Sequence, residues 1–294
     1  MRVSAELAKA LDPLAFQRKF LDSGIRADGR ASFTSSRSIN VQTGVISSAL
    51  SSASCNIGKT SVIVGISAGV FSLPQGIVKS GHEGKIIVNS DFSLCVPERH
   101  ISQVKGGCLS DRVQTVFNIV LDRKQLEAEI IKSDVLASLL GDAGVTPDQS
   151  ILQHVWDITI SILVVNDEGS VFDAALIAST RALQGVKLPA LNEQLRIVHD
   201  RAPMSLSLKT IPSPLTVCLY LDSWLVDPTG EEQSLFPSYS IVVNDSGAVI
   251  FMIGPDLPEG HSNESSTKSF ELVIGELTSL AKSQYSARAS LMNS

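Results

Sequence analysis

The sequence predicts an α+β protein built from two pseudo-repeated halves, with mixed sheets packed across one core and helices on the outside. The order strand, strand, turn, strand, helix occurs twice along the 294 residues. A similar phrase follows a β-branched run in each half, as VVNDEGSVF at 164–172 and as VVNDSGAVIF at 242–251. No linker rich in proline and glycine isolates the halves, so we expect one integrated fold.

The N-terminal part, 1–30, is predicted to be a helix followed by an arm. Asp12 is a good N-cap, Pro13 suits the first helical position, and Gly24 is a plausible end. The first half, 31–187, then contains β-branched segments that predict strands, and helices that begin at polar caps or end at Gly. The strands are expected around 37–41, 49–55, 61–70, 86–94 and 155–165, and the helices after Ser110 or Asp111, around 134–140 and at 173–184.

The second half, 188–294, repeats this order after a polar connection. Strands are expected at 216–221, 224–226, 238–243 and 248–253, and the C-terminal helix at 265–282. The phrase VVNDSGAVIF lies between the last two strands, which favours a β-hairpin, because Asn and Asp tolerate turn dihedrals and Gly supplies a positive φ. The phrase VVNDEGSVF has the same turn chemistry and is first interpreted as a hairpin, although a Gly-rich turn can also present backbone N–H groups to phosphate.

The composition excludes several classes of protein. Hydrophobic residues make up 44% and charged residues 18%, which is ordinary for a globular chain. No apolar run is long enough to span a bilayer, and the N-terminus has no secretory h-region. Four scattered cysteines without a C-x-x-C pair favour a reducing, intracellular compartment. A net charge of −6 and an aromatic content of 5% argue against an autonomous nucleic-acid binder.

Two segments resemble chemical motifs. CNIGKTS at 55–61 ends like a P-loop, but Ala53 stands where the first Gly is needed and a strand comes next, so a hairpin turn is favoured. LVDPTGEEQS at 225–234 groups Asp227, Glu231 and Glu232, which could hold Mg²⁺ or act as acid and base. The alternative is structural: Asp227 caps a turn, and both glutamates are solvated. The five histidines lack metal-ligand spacing, so no metal site is expected.

The sequence has one dense basic region, PERHISQVKGGCLSDR at 97–112. Its Gly-Gly pair predicts a loop that leads into a helix. Arg99, Lys105 and Arg112 near a helix N-terminus could contact phosphate groups, while a merely solvated loop is an equal alternative.

Several segments, taken in order, resemble the RNase PH-like subunits of the eukaryotic exosome ring. They are ADGR at 27–30, SVIVGIS at 61–67, VFDAALIASTRAL at 171–183, VKLP at 186–189 and VDPTGEE at 226–232. The resemblance runs from about Asp12 to Leu280 and is weaker at 71–147, where an insertion is expected near Leu136–Pro147. It implies the RNase PH-like fold, of the ribosomal protein S5 domain 2-like type, which agrees with the repeat.

The resemblance also implies a test of activity. Active members cleave RNA from its 3′ end with inorganic phosphate, which they bind at a turn D-G-G-T-R-T-A through a bidentate Arg. Aligned on the alanine that opens the helix, this chain reads EGSVFDA at 168–174, so Val171 replaces Thr and Phe172 replaces Arg. Active members also carry two aspartates six residues apart, for which this chain has Glu232 and Ser238. A serine hydroxyl does not ionise near neutral pH.

These losses predict a non-catalytic subunit without cofactor or metal. The resemblance implies that it pairs with other RNase PH-like subunits in a hetero-hexameric ring, beneath S1/KH cap subunits, and helps line a channel for single-stranded RNA, which Arg99, Lys105 and Arg112 would contact. Its expected location is the nucleus, including the nucleolus, and the cytoplasm, with no membrane contact. The alternative is an active phosphate-dependent 3′-to-5′ exoribonuclease with an atypical site, supported only by the carboxylate cluster with Glu232.

Overall fold

The computed structural model describes residues 5–73, 84–94, 96, 108–126, 130–131, 153–192, 195–198, 202–256 and 270–293. The helices in this part of the chain are α1 (Ala5–Leu11), α2 (Pro13–Leu21), α3 (Cys108–Val120), α4 (Val171–Gln184), α5 (Gly230–Leu235) and α6 (Phe270–Asn293). The strands are β1 (Ile39–Thr43), β2 (Ser51–Ile57), β3 (Thr60–Leu73), β4 (Ile86–Phe92), β5 (Ile130–Ile131), β6 (Gln153–Asn166), β7 (Lys187–Leu188), β8 (Leu191–Asn192), β9 (Met204–Ser205), β10 (Ser213–Tyr220), β11 (Ser223–Val226), β12 (Ser238–Val243) and β13 (Val249–Asp256).

The first sheet is mixed, as predicted, and has the strand order β1-β2-β3-β6-β4. All pairs are antiparallel except β4 with β6, which is parallel. Alternate residues of β3, such as Val62, Val64 and Ile66, are fully buried, because successive side chains of a strand point to opposite faces. The predicted turn between the strands at 57–60 is confirmed, with Ile57 paired to Thr60.

The second sheet is antiparallel, with the order β11-β10-β12-β13. Every residue of β10 and β12 is buried, so both faces of these central strands are covered. Helix α6 covers one face through Val273, Leu277 and Ala281. The four predicted strands of this half are confirmed, and the C-terminal helix extends to Asn293, beyond the predicted end.

Helix α4 lies between the two sheets and corrects one expectation. It packs against β2 and β3 of the first sheet and against β10 of the second. Twelve of its 14 residues are buried, so this helix is internal rather than outer. Its small residues allow this: Ala174, Ala175 and Ala178 have no exposed surface and let the two sheets approach closely.

The two copies of the repeated phrase adopt different structures. The copy at 242–251 forms the predicted hairpin between β12 and β13, in which Val243 pairs with Val249. The copy at 164–172 connects β6 to α4, so its interpretation as a hairpin is wrong. The two copies diverge after the glycine, where the first continues into an Ala-rich helical sequence and the second into the strand sequence VIFMI.

Some expectations fall outside the described residues, namely the helix at 134–140 and the insertion at Leu136–Pro147. The predicted boundaries after 30 and after 187 stay predictions. The start of α2 is confirmed in detail, since Asp12 accepts a hydrogen bond from the Ala15 N–H at 2.8 Å. No helix in the described part of the chain is long and apolar enough to cross a membrane.

Candidate functional site

The turn between β6 and α4, residues 167–170, is the position where the resemblance placed phosphate binding. We call it the junction turn, because it touches the start of α5 in the second half. Gly169 has φ +93°, and a Cβ there would lie 2.3 Å from the Pro228 carbonyl oxygen. Only glycine therefore allows this close approach of two backbones.

Three N–H groups of the junction turn are already bound within the protein. The Glu168 N–H donates to Thr60 Oγ1 at 3.0 Å and the Gly169 N–H to Asp167 Oδ1 at 2.8 Å. The Ser170 N–H donates to Gln233 Oε1 at 3.1 Å. An anion could reach these donors only by displacing a protein acceptor, which costs the hydrogen bond already made.

The carbonyl groups of the turn are bound by Arg37. Its Nη1 donates to the Glu168 carbonyl at 2.7 Å and its Nη2 to the Gly169 carbonyl at 3.2 Å. The same guanidinium pairs with Asp227, at 2.7 Å between Nη2 and Oδ1. An arginine is thus present at the turn, but it faces backbone carbonyls and a carboxylate rather than a free anion site.

Phe172, at the position of the phosphate-binding arginine, belongs to the core. Its side chain is 6% exposed and its ring centroid lies 5.9 Å from that of Phe251 on β13. Val171 is similarly buried. The start of α4 therefore offers two apolar side chains where an active enzyme needs donors and charge.

The next residue, Asp173, is a buried carboxylate with a full set of partners. It accepts hydrogen bonds from the Thr216 N–H at 3.0 Å and from Thr216 Oγ1 at 2.7 Å. Arg288 of α6 donates to it at 2.8 Å and also bonds the Pro214 carbonyl. Because a carboxylate in the first turn of a helix is favoured by the helix dipole, Asp173 joins α4, β10 and α6.

Glu232 is neither solvated nor part of a metal cluster. It is 1% exposed, and its Oε1 accepts from Arg26 Nε at 2.9 Å while Oε2 is paired with Arg26 Nη2. It also completes a capping box at the start of α5, with Thr229 N–H donating to Oε2 at 2.8 Å. Ser238, its predicted companion, is buried at the start of β12. The described residues hold no group of three His, Cys, Asp or Glu side chains that could bind a metal.

Asp227 forms the second buried ion pair of the junction. Burial alone would raise its pKa, but the hydrogen bonds and positive charge of Arg37 outweigh burial and lower the pKa to about 2. Burial is the largest single influence on Arg37 and lowers its pKa, but the hydrogen bond and charge of Asp227, together with the charges of Asp28 and Glu168, give a net rise of the pKa. Burial, followed by the charge of Arg26, lowers the pKa of the third arginine, Arg30. Arg30 pairs with Asp28, at 2.7 Å between Nε and Oδ2, so three carboxylates balance the three arginines, as buried charges require.

Glu231, in contrast, lies at the edge of a cleft. It pairs with Lys9 at 2.5 Å and accepts from Gln17 Nε2 at 3.1 Å. The cleft has a volume of about 550 Å³ and is bordered by the N-terminal helices, the 27–38 segment and the junction turn. Its positive and negative side chains are mixed, so the cleft has no clear preference for an anion.

The predicted RNA-contacting residues are only partly described. Arg112 is half-buried on α3, which begins at Cys108, before the predicted caps. Arg99 and Lys105 lie outside the described residues, as does the rest of the predicted loop before Cys108. Their grouping stays a prediction.

Sequence reasoning missed the partners of the acidic residues. The sequence pattern places Arg26 and Arg30 in the N-terminal arm and Arg37 in a strand, and it gives none of them an acidic partner. The short spacing of three arginines before the first strand is a usable signal, because buried carboxylates need such partners. Nothing in the sequence pairs Asp173 with Arg288, 115 residues away.

With this geometry in place, the class of protein can be stated. Residues 35–189 match the model of the 3′ exoribonuclease family, domain 1, and the chain belongs to this family. Solved structures share its RNase PH-like fold. One of them is an archaeal exosome core, which has 21% sequence identity and a TM-score of 0.68, over 94% of this chain and 95% of that one. The Archaeoglobus fulgidus exosome with RNA bound to the active site is similar (21% identity, TM-score 0.69, covering 94% and 96%).

Among sequence relatives, the chain is similar to exosome complex components of two kinds. It is 28% identical to Rrp42 of Methanocella arvoryzae over 229 residues, 78% of each chain. It is 28% identical to rrp43 of Schizosaccharomyces pombe over 251 residues, 83% of this chain and 85% of that one. These matches support the resemblance inferred from the sequence.

Proposed function

We propose that this chain is a non-catalytic structural subunit of an exosome-type ring. It supports 3′-to-5′ RNA processing and degradation, including rRNA maturation and mRNA turnover, by completing the ring and helping to line the RNA channel. Relatives that are named exosome components over most of their length support this assignment.

The observation that carries the non-catalytic part is the burial of Phe172. The resemblance requires an arginine there to hold phosphate in two hydrogen bonds. A phenyl ring packed on Phe251 has no donor and no charge. The neighbouring turn N–H groups are occupied by Thr60, Asp167 and Gln233. Phosphorolysis therefore lacks a site for its second substrate.

The carboxylate chemistry is missing as well. Glu232, the only support for an active enzyme, is bound by Arg26 and by the backbone of α5. A general acid must be able to exchange its proton with the substrate, and a carboxylate held on both oxygens inside the protein is unsuited to that role. The proposal accordingly assigns Glu232 to the fold.

The ring role specifies partners. The chain would contact other RNase PH-like subunits in a hetero-hexamer, with S1/KH subunits as caps and separate hydrolytic nucleases performing cleavage. Arg99, Lys105 and Arg112 would contact single-stranded RNA in the assembled channel. Since the net charge of −6 makes the isolated chain a weak RNA binder, this contact is expected only in the assembly. The proposed location is the nucleus, including the nucleolus, and the cytoplasm.

A phosphorolysis assay tests the catalytic assignment. The isolated chain and its assembly are incubated with poly(A) and inorganic phosphate, and nucleoside diphosphates are measured. We expect no release from the isolated chain. Release that Glu232→Gln abolishes, while thermal unfolding shows that this near-isosteric variant is still folded, would show that the alternative, an atypical exoribonuclease, is correct.

Co-purification tests the ring assignment. Size-exclusion chromatography of the tagged chain from its native cell, with mass spectrometry of the co-eluting proteins, should identify RNase PH-like and S1/KH subunits. A chain that elutes alone at the mass of a monomer would exclude ring membership.

The basic residues can be tested in the assembly. Replacing Arg99, Lys105 and Arg112 with alanine should weaken RNA binding by several-fold and reduce the salt dependence of binding, because each phosphate contact releases counterions. The matched control replaces three exposed lysines elsewhere, Lys59, Lys187 and Lys209. Equal losses in both variants would reject the assignment of these three residues.

A further inference from the structure

We propose that the free edge of β13, residues Val249–Ile253, pairs with an edge strand of a neighbouring RNase PH-like subunit, so that one sheet continues across the subunit boundary. This inference rests on the ring membership proposed above and names the surface that would serve it. It comes from a comparison of the edges of the two large sheets.

Sheet edges present unpaired backbone groups, and proteins usually block them. On β4, the side-chain amide of Gln114 acts as a substitute strand. Its Oε1 accepts from the Val88 N–H at 3.3 Å and its Nε2 donates to the Ile86 carbonyl at 3.0 Å. This edge is therefore closed by a neighbouring helix, α3.

Two further edges are protected in other ways. On β11, the Val226 N–H donates to the Phe33 carbonyl at 2.8 Å, so the segment that follows the N-terminal arm covers this end of the edge. Strand β1 has only five residues, INVQT, and carries polar side chains. Short and polar edges are poor templates for pairing.

The edge of β13 has no such protection. Within the described part of the chain, no backbone or side-chain group bonds to it except β12 on its other side. The stretch Val249–Ile253 reads VIFMI, five apolar residues without a charge. A blocking residue occurs only afterwards, at Pro255. Among the described residues, the edge of β13 is thus the long apolar one without a bonded partner, whereas β4 and β11 have partners and β1 is short and polar, which indicates a binding surface.

The side chains of this stretch specify the kind of partner. Ile250 and Phe251 lie on the side of the α4 core, whereas Met252 lies on the side of α6. All three are half-buried, and Val249 is 38% exposed. A partner strand must therefore supply apolar neighbours on both faces. An apolar strand of a folded sheet does so, because its side chains alternate between the two faces, whereas a polar peptide has no apolar side chains for either face.

The test places a charge on the open edge and compares it with the same charge on a closed edge. Val249→Lys and Ile253→Lys should reduce assembly with RNase PH-like subunits by at least about tenfold, because lysine on an edge strand opposes pairing. The matched control is Ile87→Lys on β4, where the native residue is 41% exposed and the edge is closed by Gln114. We expect the control to assemble like the wild type. Thermal unfolding of each isolated variant verifies that the fold is kept.

Hydrogen–deuterium exchange provides a second readout that needs no variant. Amides of Val249–Ile253 that face outward should exchange in the isolated wild-type chain and become protected in the assembly. Protection of this stretch only through a homodimer that Val249→Lys disrupts would show that the occupant is a second copy, which contradicts the proposal.

The two proposals fail in different ways. If the wild-type chain does not assemble with RNase PH-like subunits at all, the ring assignment is wrong. If the wild type assembles and Val249→Lys and Ile253→Lys assemble equally well, without protection of the β13 amides, ring membership stands and the inference about β13 is wrong.

Discussion

The junction turn at 167–170 and the hairpin turn at 244–248 have almost the same sequence and opposite surroundings. Both contain Asn-Asp-x-Gly, and both glycines have a positive φ, +93° for Gly169 and +75° for Gly247. The polar groups of the hairpin turn are bound within the turn or exposed to solvent. Asn244 Oδ1 accepts a hydrogen bond from the Ala248 N–H at 2.7 Å, and Asp245 and Ser246 are exposed. The junction turn is satisfied by distant residues, including Thr60, Arg37 and Gln233. The same local chemistry thus serves as a surface connection in one half and as a point of contact between the halves in the other.

The two turns should differ most in the stability that is lost when their glycines, Gly169 and Gly247, are each replaced by alanine. Gly169→Ala places a Cβ against the backbone of Pro228 and Thr229, which cannot move without displacing α5, so we expect a loss of about 5 kcal/mol or failure to fold. Gly247→Ala meets only the flexible end of Lys282, 3.0 Å away, and costs about 1 kcal/mol for its positive φ. Urea unfolding measures both. Similar losses would mean that the junction turn is as adaptable as the hairpin.

The next effect concerns the ion pair at the start of α4, a feature that the hairpin lacks. Arg288→Met leaves the Asp173 carboxylate buried without its cation and should destabilise the protein by about 3–4 kcal/mol. Adding Asp173→Leu removes the unpaired charge and should recover part of this loss, although Thr216 then loses its acceptor. Chemical unfolding of the single and double variants completes the cycle. A double variant less stable than the sum of both single losses would contradict the pairing.

Acid should loosen the junction turn through Asp227. Its pKa is lowered to about 2, so its contribution is complete above the unfolded pKa near 4 and is lost as the pH falls toward 2. The stability gap between wild type and Asp227→Asn should therefore shrink by about 2 kcal/mol between pH 4 and pH 2. Urea unfolding across this range measures the gap. Asp245→Asn, in the exposed hairpin, is the control, and a gap for Asp227→Asn that does not depend on pH would refute the coupling.

The smallest effect on stability is expected at Asp167 and Asp245, which occupy the same position in the two turns. Asp167 is 8% exposed and accepts from the Gly169 N–H, so Asp167→Ala should cost about 1 kcal/mol. Asp245 is exposed and accepts only from the adjacent Ser246 N–H, so Asp245→Ala should change stability by about 0.5 kcal/mol or less. Thermal unfolding under the same conditions ranks the two. A reversed ranking would mean that burial does not separate the turns.

The sequence predicted most strands because their β-branched runs and turn residues act locally. The predicted bounds of β12 agree with the structure, whereas β13 starts one residue later than predicted and ends three residues later. The junction turn was misinterpreted because Asn-Asp-x-Gly suits both a hairpin and a strand-to-helix turn. Only the helical sequence from Val171 onward distinguishes them, and its β-branched start obscures that signal.

The surroundings of the carboxylates could not be predicted from the neighbouring residues in the sequence. Whether Glu232 is solvated, catalytic or buried depends on Arg26, which lies 206 residues earlier in the chain. The loss of the phosphate arginine was visible in the sequence, because the start of α4 fixes the alignment at Phe172. That the ring of Phe172 packs on Phe251 depends on how the second sheet meets α4, which no single segment encodes.

The buried pairing of Arg26 with Glu232 has a consequence for synthesis. Arg26 also donates to the carbonyl groups of Val226 and Asp227, so all of its long-range partners lie in the second half. At about 5–20 residues per second on the ribosome, roughly 10–40 s separate Arg26 from these partners. During that time Arg26 has none of its partners in the second half, and the first sheet must fold beside an arm that is not yet attached to that half. The arm docks only after residues 226–232 have been made, and the pairing of Asp173 with Arg288 forms later still.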